Sequence, residues 1–312
     1  MNLDRLLIIG STGLVGSKVA SMAQSYGFDP YCTANTRQSN FARSSRLDIT
    51  DLEATLRLVE ETKPRAIVNT AALTNVDYCE THREEADRVN VHGVRNLSEA
   101  AQQNGSRLIH ISTDSVFDGS SGNYSESDVP NPLNYYSETK RRSEEIVLRM
   151  PNFAIARSSV IYGWVPTYGL GVPAASAKAL NFGLFVLDKL SRSETVNAVR
   201  DQYTCPTFAN NLSDALLRLA RSTLTGIFHT VGRSCVSRYE FALKICEVFG
   251  FPSSLVHPIL SSELHQIAVR PKNTCLTVER AERALNMRFL TVQEGLSQMR
   301  SSREISKGSL ES

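Results

Sequence analysis

Tyr136 and Lys140 lie four positions apart in the stretch NYYSETKRR, residues 134–142. On a helix that spacing puts both side chains on one face and turns Tyr135 elsewhere. A free phenol titrates near pH 10, and a cation held beside it favours the phenolate. The pair is therefore suited to proton transfer, with Tyr136 as the acid and Lys140 tuning it. Thr113, in ISTDS (111–115), can donate a hydrogen bond to a carbonyl oxygen that gains negative charge during reduction. A bare Tyr-x-x-x-Lys is common by chance, so its meaning depends on the elements that position it.

Gly10, Gly13 and Gly16 stand in IIGSTGLVGS, between an apolar run and an amphipathic one. In a strand-to-helix turn the first glycine permits a tight bend. The second lets backbone N–H groups reach a pyrophosphate, and the third lets helix pack closely on sheet. This is a dinucleotide site, in which Lys140 can also hold ribose hydroxyls. Such sites usually carry an acidic residue about 20 positions on, for the ribose 2′-hydroxyl. Here Cys32 to Leu47 contains no Asp or Glu but does contain Arg37, Arg43 and Arg46. Arginine without carboxylate suits a 2′-phosphate, so the pattern favours NADP (NADPH) over NAD. Arg43 and Arg46 also fit a solvated loop. Asp48 in RLDITD fits either a contact to an adenine amino group or a helix cap.

The elements needed to carry these residues are present. Strands at 5–10, 31–35, 66–72, 107–113 and 153–159 alternate with helices at 14–26, after Asp51, at 84–103 and from about Tyr135. Repeated β-α units give an α/β fold, a Rossmann-type doubly wound parallel sheet with helices on both faces. ISTDS then ends a parallel strand, at the sheet edge where such folds bind ligands. After Ser159 the pattern loosens. Residues 163–180 are rich in Gly, Pro and Ala and predict a loop or lid; helices at 209–221, 238–249, 277–286 and 291–300 follow, with isolated strands. The expected organisation is a nucleotide-binding domain at 1–158, completed by about 196–222. A smaller α/β substrate-binding lobe takes 159–195 and 223–300, and 301–312 is a polar, disordered tail.

Composition excludes little but is consistent. A net charge of +2 gives no reason to expect nucleic acid, and no apolar run is long enough for a signal peptide or a membrane span. The six cysteines show no CxxC pair and no histidine at ligand spacing. They predict a reduced, cytoplasmic protein with no metal site, and Cys79 and Cys205 read as packing.

Together these segments resemble the extended short-chain dehydrogenase/reductase family, and within it the dTDP-4-dehydrorhamnose reductase group. The resemblance covers nearly the whole chain: GSTGLVGS, VNTAALTNVDYCE (68–80), VNVHGVRNL (89–97), ISTDSVFDG (111–119), NPLNYYSETK (131–140), DQYTCPT (201–207) and RPKNTCL (270–276). It implies hydride transfer from NADPH to the 4-keto carbon of a nucleotide-linked deoxysugar, with Thr113, Tyr136 and Lys140 catalytic. The implied cofactor contacts are Gly10, Thr12, Gly13, Leu14, Val15, Gly16, Arg37, Asp48, Ile49, Ala71 and Ala72, beside Tyr136 and Lys140. On the substrate side it implies Ser112 and Asp114, with Arg270 and Lys272 as candidates for a diphosphate. A homodimer is compatible with this reading.

Two departures fall on the sugar side. Ser115 stands where the group usually has tyrosine, and 163–180 is longer than the link expected there. Asp201, Gln202 and Pro206 fit either the site or a structural turn. Two other readings share the scaffold: an epimerase or dehydratase that retains its cofactor, and a non-catalytic dinucleotide-binding subunit. The regulatory beta subunit of methionine adenosyltransferase is similar to this group. The missing Asp-Glu pair beside Thr113 counts against a dehydratase.

Overall fold

A computed structural model describes residues 3–37, 39–165 and 181–308. The chain runs β1 (Asp4–Ile9), α1 (Leu14–Met22), β2 (Phe28–Ala34), β3 (Ser44–Arg46), α2 (Leu52–Thr62) and β4 (Ala66–Asn69). It continues through α3 (Val76–Thr81), α4 (Arg83–Asp87), α5 (Gly93–Asn104), β5 (Arg107–Thr113), α6 (Tyr135–Val147) and β6 (Phe153–Ser158). Next come β7 (Ile161–Tyr162), α7 (Phe182–Ser191), β8 (Val196–Val199), β9 (Tyr203–Thr204), β10 (Thr207–Phe208) and α8 (Ala209–Arg221). Last are β11 (Gly226–His229), β12 (Val236–Ser237), α9 (Arg238–Phe249), β13 (Val256–Ile259), α10 (Glu279–Leu285) and α11 (Val292–Gly308).

Seven strands form one parallel sheet in the order β3-β2-β1-β4-β5-β6-β11. The order reverses between β1 and β4, which makes their C-terminal ends the switch point of a doubly wound fold. Alternation along each strand serves the two faces. Leu6, Ile8, Val68 and Ile109 pack with Val19, Leu212 and Leu216 of α1 and α8. Leu7, Ile9, Ile67 and Leu108 pack with Leu58 and Leu97 of α2 and α5. Each such side chain, fully buried, contributes about 1.5–3 kcal/mol. A separate cluster around Tyr162, Leu184, Phe241 and Leu296 forms the core under α7, α9 and α11.

Local signals set the element ends. Asp51 caps α2 by accepting from Ala54 N–H, a contact of about 1 kcal/mol. Asn134 does the same for α6, accepting from Ser137 N–H at 3.0 Å. One expectation holds with an addition and two need correction. The helix expected over 84–103 runs unbroken over 83–104 and takes in a π turn at Arg88–His92. That turn lets Asn90 hold both the N–H and the carbonyl of Leu73, at 2.8 and 3.0 Å. Residues 226–229, expected in the lobe, pair with β6 as the edge of the main sheet. The tail is helical as far as Gly308, because α11 does not stop at 300. Of the predicted lid, residues 166–180 lie outside the described residues.

Candidate active site

The glycine turn leaves β1 with Gly10 at φ 82°, where a side chain would be strained. Its carbonyl then accepts Gly13 N–H at 3.0 Å and lies directly against α1. A Cβ on Gly16 would sit 2.3 Å from that carbonyl oxygen and 2.8 Å from Thr70 Oγ1. Only glycine fits there. The Thr70 hydroxyl closes the turn against the neighbouring strand by donating to Ile9 O at 2.6 Å.

From this turn a cavity of about 840 Å³ extends across the C-terminal edge of the sheet. Its walls include Gly13, Leu14, Val15 and Gly16 at one end; Ala71 and Ala72 after β4; and Ser112, Thr113, Asp114 and Ser115 after β5. Tyr136 and Lys140 reach it from α6, and Arg270 also lines it. Thr113 and Tyr136 line the cavity together, the threonine hydroxyl close enough to act on the phenol. Tyr135 points away and stacks under the Arg83 guanidinium, 4.7 Å from the ring centre.

The lysine does not act as its helical spacing suggests. Lys140 Nζ donates to the Ile111 carbonyl at 2.7 Å and lies 3.2 Å from His110 Nε2. Burial therefore dominates the phenol, and the Tyr136 pKa is pushed up despite the opposing effect of Thr113. The lowering expected from Lys140 is reversed.

His110, which the sequence did not single out, shapes the lysine's surroundings. Asn69 Oδ1 accepts Ala71 N–H at 3.1 Å, so its amide NH2 faces His110 Nδ1 at 3.2 Å. That assigns the proton to Nε2, which donates to Ser143 Oγ at 3.0 Å. Burial and the adjacent Lys140 hold His110 neutral, its pKa well below the usual range. Burial in turn brings Lys140 down to about 8.

Other predicted residues divide. Arg37 lies with Arg46, Ser39 and Ser44 around a second recess beside the end of β2, whereas Arg43 pairs with Asp29. Asp48 acts as a turn residue, its Oδ1 accepting the N–H and hydroxyl of Thr50 at 2.9 and 2.8 Å. The Ile49 side chain is core, packed against Gly93 of α5; Gly10 and Thr12 shape the turn without lining the cavity. Asp114 is buried and fully engaged, with Oδ2 accepting Ser159 and Thr274 hydroxyls at 2.7 and 2.5 Å and Oδ1 accepting Thr113 at 3.2 Å. It therefore holds Thr113 in place, and burial raises its pKa. Ser112 Oγ is buried at the cavity wall without a hydrogen-bond partner among the described residues.

Lys272 is misplaced by the sequence reading. It is exposed and tied to Asp201, which also accepts from Ser261 and so joins two loops as a structural turn. Gln202 of the same stretch does line the cavity. Cys79 and Cys205 are buried thiols raised to about 11 and about 12 by burial. Cys235 and Cys275 depart from the expected reduced state. They form a disulfide with a Cα–Cα distance of 5.5 Å, because the fold brings together segments 40 residues apart. Among the described residues no group of His, Cys, Asp and Glu could hold a metal, and no helix is long and apolar enough to cross a membrane.

This sheet order, glycine turn and Thr-Tyr-Lys constellation define a Rossmann-type protein of the extended short-chain dehydrogenase/reductase class. The family model described as the RmlD substrate binding domain matches residues 4–304, and the chain belongs to that family. It is 31% identical to dTDP-4-dehydrorhamnose reductase of Aggregatibacter actinomycetemcomitans, covering 95% of this chain and 98% of that protein. It is 32% identical to the methionine adenosyltransferase 2 subunit beta of Bos taurus, covering 89% of this chain and 81% of that one. The crystal structure of dTDP-4-dehydrorhamnose reductase from Bacillus anthracis in complex with NADP superposes with a TM-score of 0.84 at 28% identity. That match spans 96% of this chain and 99% of the other.

Proposed function

We propose that this chain is an NADPH-dependent reductase of the 4-keto group of a nucleotide-linked deoxysugar, with the cofactor on the sheet and the sugar beneath the smaller lobe. The observation that carries this is the single cavity joining the Gly13–Gly16 turn to Thr113, Tyr136 and Lys140. The turn fits a dinucleotide, since Gly13 and Gly16 present bare backbone at the cavity end. Bound NADPH would supply the hydride. Tyr136 gives its proton to the oxygen that becomes the hydroxyl, and the Thr113 hydroxyl turns from Asp114 Oδ1 to donate to the same oxygen as charge develops. Asp114 fixes the Thr113 hydroxyl, while Lys140 holds ribose hydroxyls from a base set by Ile111 and His110.

The test is NADPH oxidation with dTDP-, UDP- and GDP-linked 4-keto sugars. Turnover with one of them supports the proposal. Cofactor binding with no turnover, together with co-purification of another enzyme, would move the chain to the regulatory-subunit reading favoured by its likeness to methionine adenosyltransferase subunits beta.

Two further outcomes follow from cofactor binding. Arg37→Ala weakens NADPH by about 10- to 100-fold, the scale of a charge-assisted phosphate contact, and leaves NADH nearly unchanged. Equal losses in a fluorescence titration would exclude a 2′-phosphate seat at Arg37. The second outcome concerns pH. The Lys140 ammonium is present below about pH 8 and lost above it, so NADPH affinity declines as pH rises through that value. Lys140→Met binds weakly at every pH and shows no such step.

A further inference from the structure

Arg238 is the first residue of α9 and lines the cavity on its lobe side. Its guanidinium lies over the Phe182 ring, 5.0 Å from the centre, and its Nη1 is buried with no hydrogen-bond partner among the described residues. The other two cations of this region are already matched. Arg270 donates to Asp77 at 3.1 Å and to the Ala268 carbonyl at 3.3 Å, and Lys272 is paired with Asp201. The carboxylate whose field reaches Arg238 is Asp114. No hydrogen bond joins them, and three hydroxyls already occupy the Asp114 oxygens.

Three features of this placement cost stability, against the attraction of Asp114. The Nη1 end of the guanidinium is buried, it sits at the positive end of a helix dipole, and Arg270 repels it. An anion entering the cavity removes all three costs. The same cavity is also lined by the neutral donors Asn197 and Gln202, which suit an anion's remaining oxygens. Resting on the nucleotide-sugar reading above, we propose that Arg238 is the seat of the substrate's diphosphate. Its planar fork takes two non-bridging oxygens at once, and Phe182 holds the plane in position. Arg270, restrained by Asp77, lines the same cavity and assists.

The experiment uses the full chain with NADP⁺ bound. Wild type, Arg238→Met and Arg238→Lys are titrated calorimetrically with dTDP, UDP and GDP, and their thermal midpoints are measured without nucleotide. Expected results are a loss of about 10- to 100-fold in nucleoside diphosphate affinity for Arg238→Met and a smaller loss for Arg238→Lys. NADPH affinity stays unchanged, and the melting temperature of Arg238→Met equals or exceeds that of wild type. The last readout separates a ligand seat from a structural role: methionine keeps apolar contact with Phe182 while relieving the desolvation of a cation whose Nη1 lacks a hydrogen-bond partner among the described residues, so the empty fold should not be weakened. A lower melting temperature, an unchanged diphosphate affinity, or a wild type that binds none of the three nucleotides would overturn the proposal. Because binding is read directly, a chain that binds diphosphate through Arg238 but turns nothing over would refute the reductase reading alone.

Discussion

Tyr136→Phe lowers turnover by about 10³-fold, within the roughly 10²–10⁴ that a positioned general acid supplies, and leaves NADPH affinity unchanged. The substitution deletes one oxygen at the cavity wall, so the helix and its packing persist. Burial keeps the Tyr136 pKa high, which means the phenol is protonated throughout the neutral range and is a competent donor there. The acid limb of the rate profile is therefore flat. The alkaline limb reports Lys140, whose amine titrates near 8 in the free protein. Single-turnover measurement of NADPH oxidation distinguishes the step affected. A Phe variant within fivefold of wild type in that step would remove Tyr136 from the mechanism, whatever its position.

Glu144→Ala or Arg157→Met destabilises the chain by about 3–5 kcal/mol, the cost of leaving one partner of a buried ion pair uncompensated. The two groups meet in a fork. Arg157 Nε donates to Glu144 Oε1 at 2.9 Å and Nη2 donates to Oε2 at 2.7 Å, with side chains 1% and 3% exposed. Arg157 also lies over the Phe117 ring, 5.0 Å from its centre. This pair pins α6, which carries Tyr136 and Lys140, to β6 of the sheet. Loss of either partner should lower the melting temperature by on the order of 10 °C and reduce activity in proportion to the population unfolded. The double variant Glu144→Leu/Arg157→Met leaves no orphaned charge, so it should be more stable than either single one. Additive losses, or single variants melting within 2 °C of wild type, would mean that the pair does not hold the helix.

The same pair shows where reading a sequence stops. Glu144 and Arg157 are two unremarkable charges among many in the chain, and only packing removes them from water and faces them to each other. Arg238 was passed over for the opposite reason: Arg270 and Lys272 sit in a recognisable segment, yet the folded chain neutralises both and leaves Arg238 open. Lys140 was placed on the right helix face, but its amine turned to a carbonyl and a histidine on β5.

What the sequence alone determined was local: the alternation of strands and helices, the glycine turn after β1, the helix start at Asp51, and the four-residue spacing of Tyr136 and Lys140. These follow from backbone sterics and side-chain periodicity over a few residues, so neighbouring positions suffice to encode them. Only the tertiary structure decided which charges pair, which cysteines join, that residues 226–229 close the sheet edge, and whether the Tyr136 pKa rises or falls. Those outcomes depend on burial and on contacts between residues tens to hundreds of positions apart, where the dielectric and the available partners are properties of the packed whole.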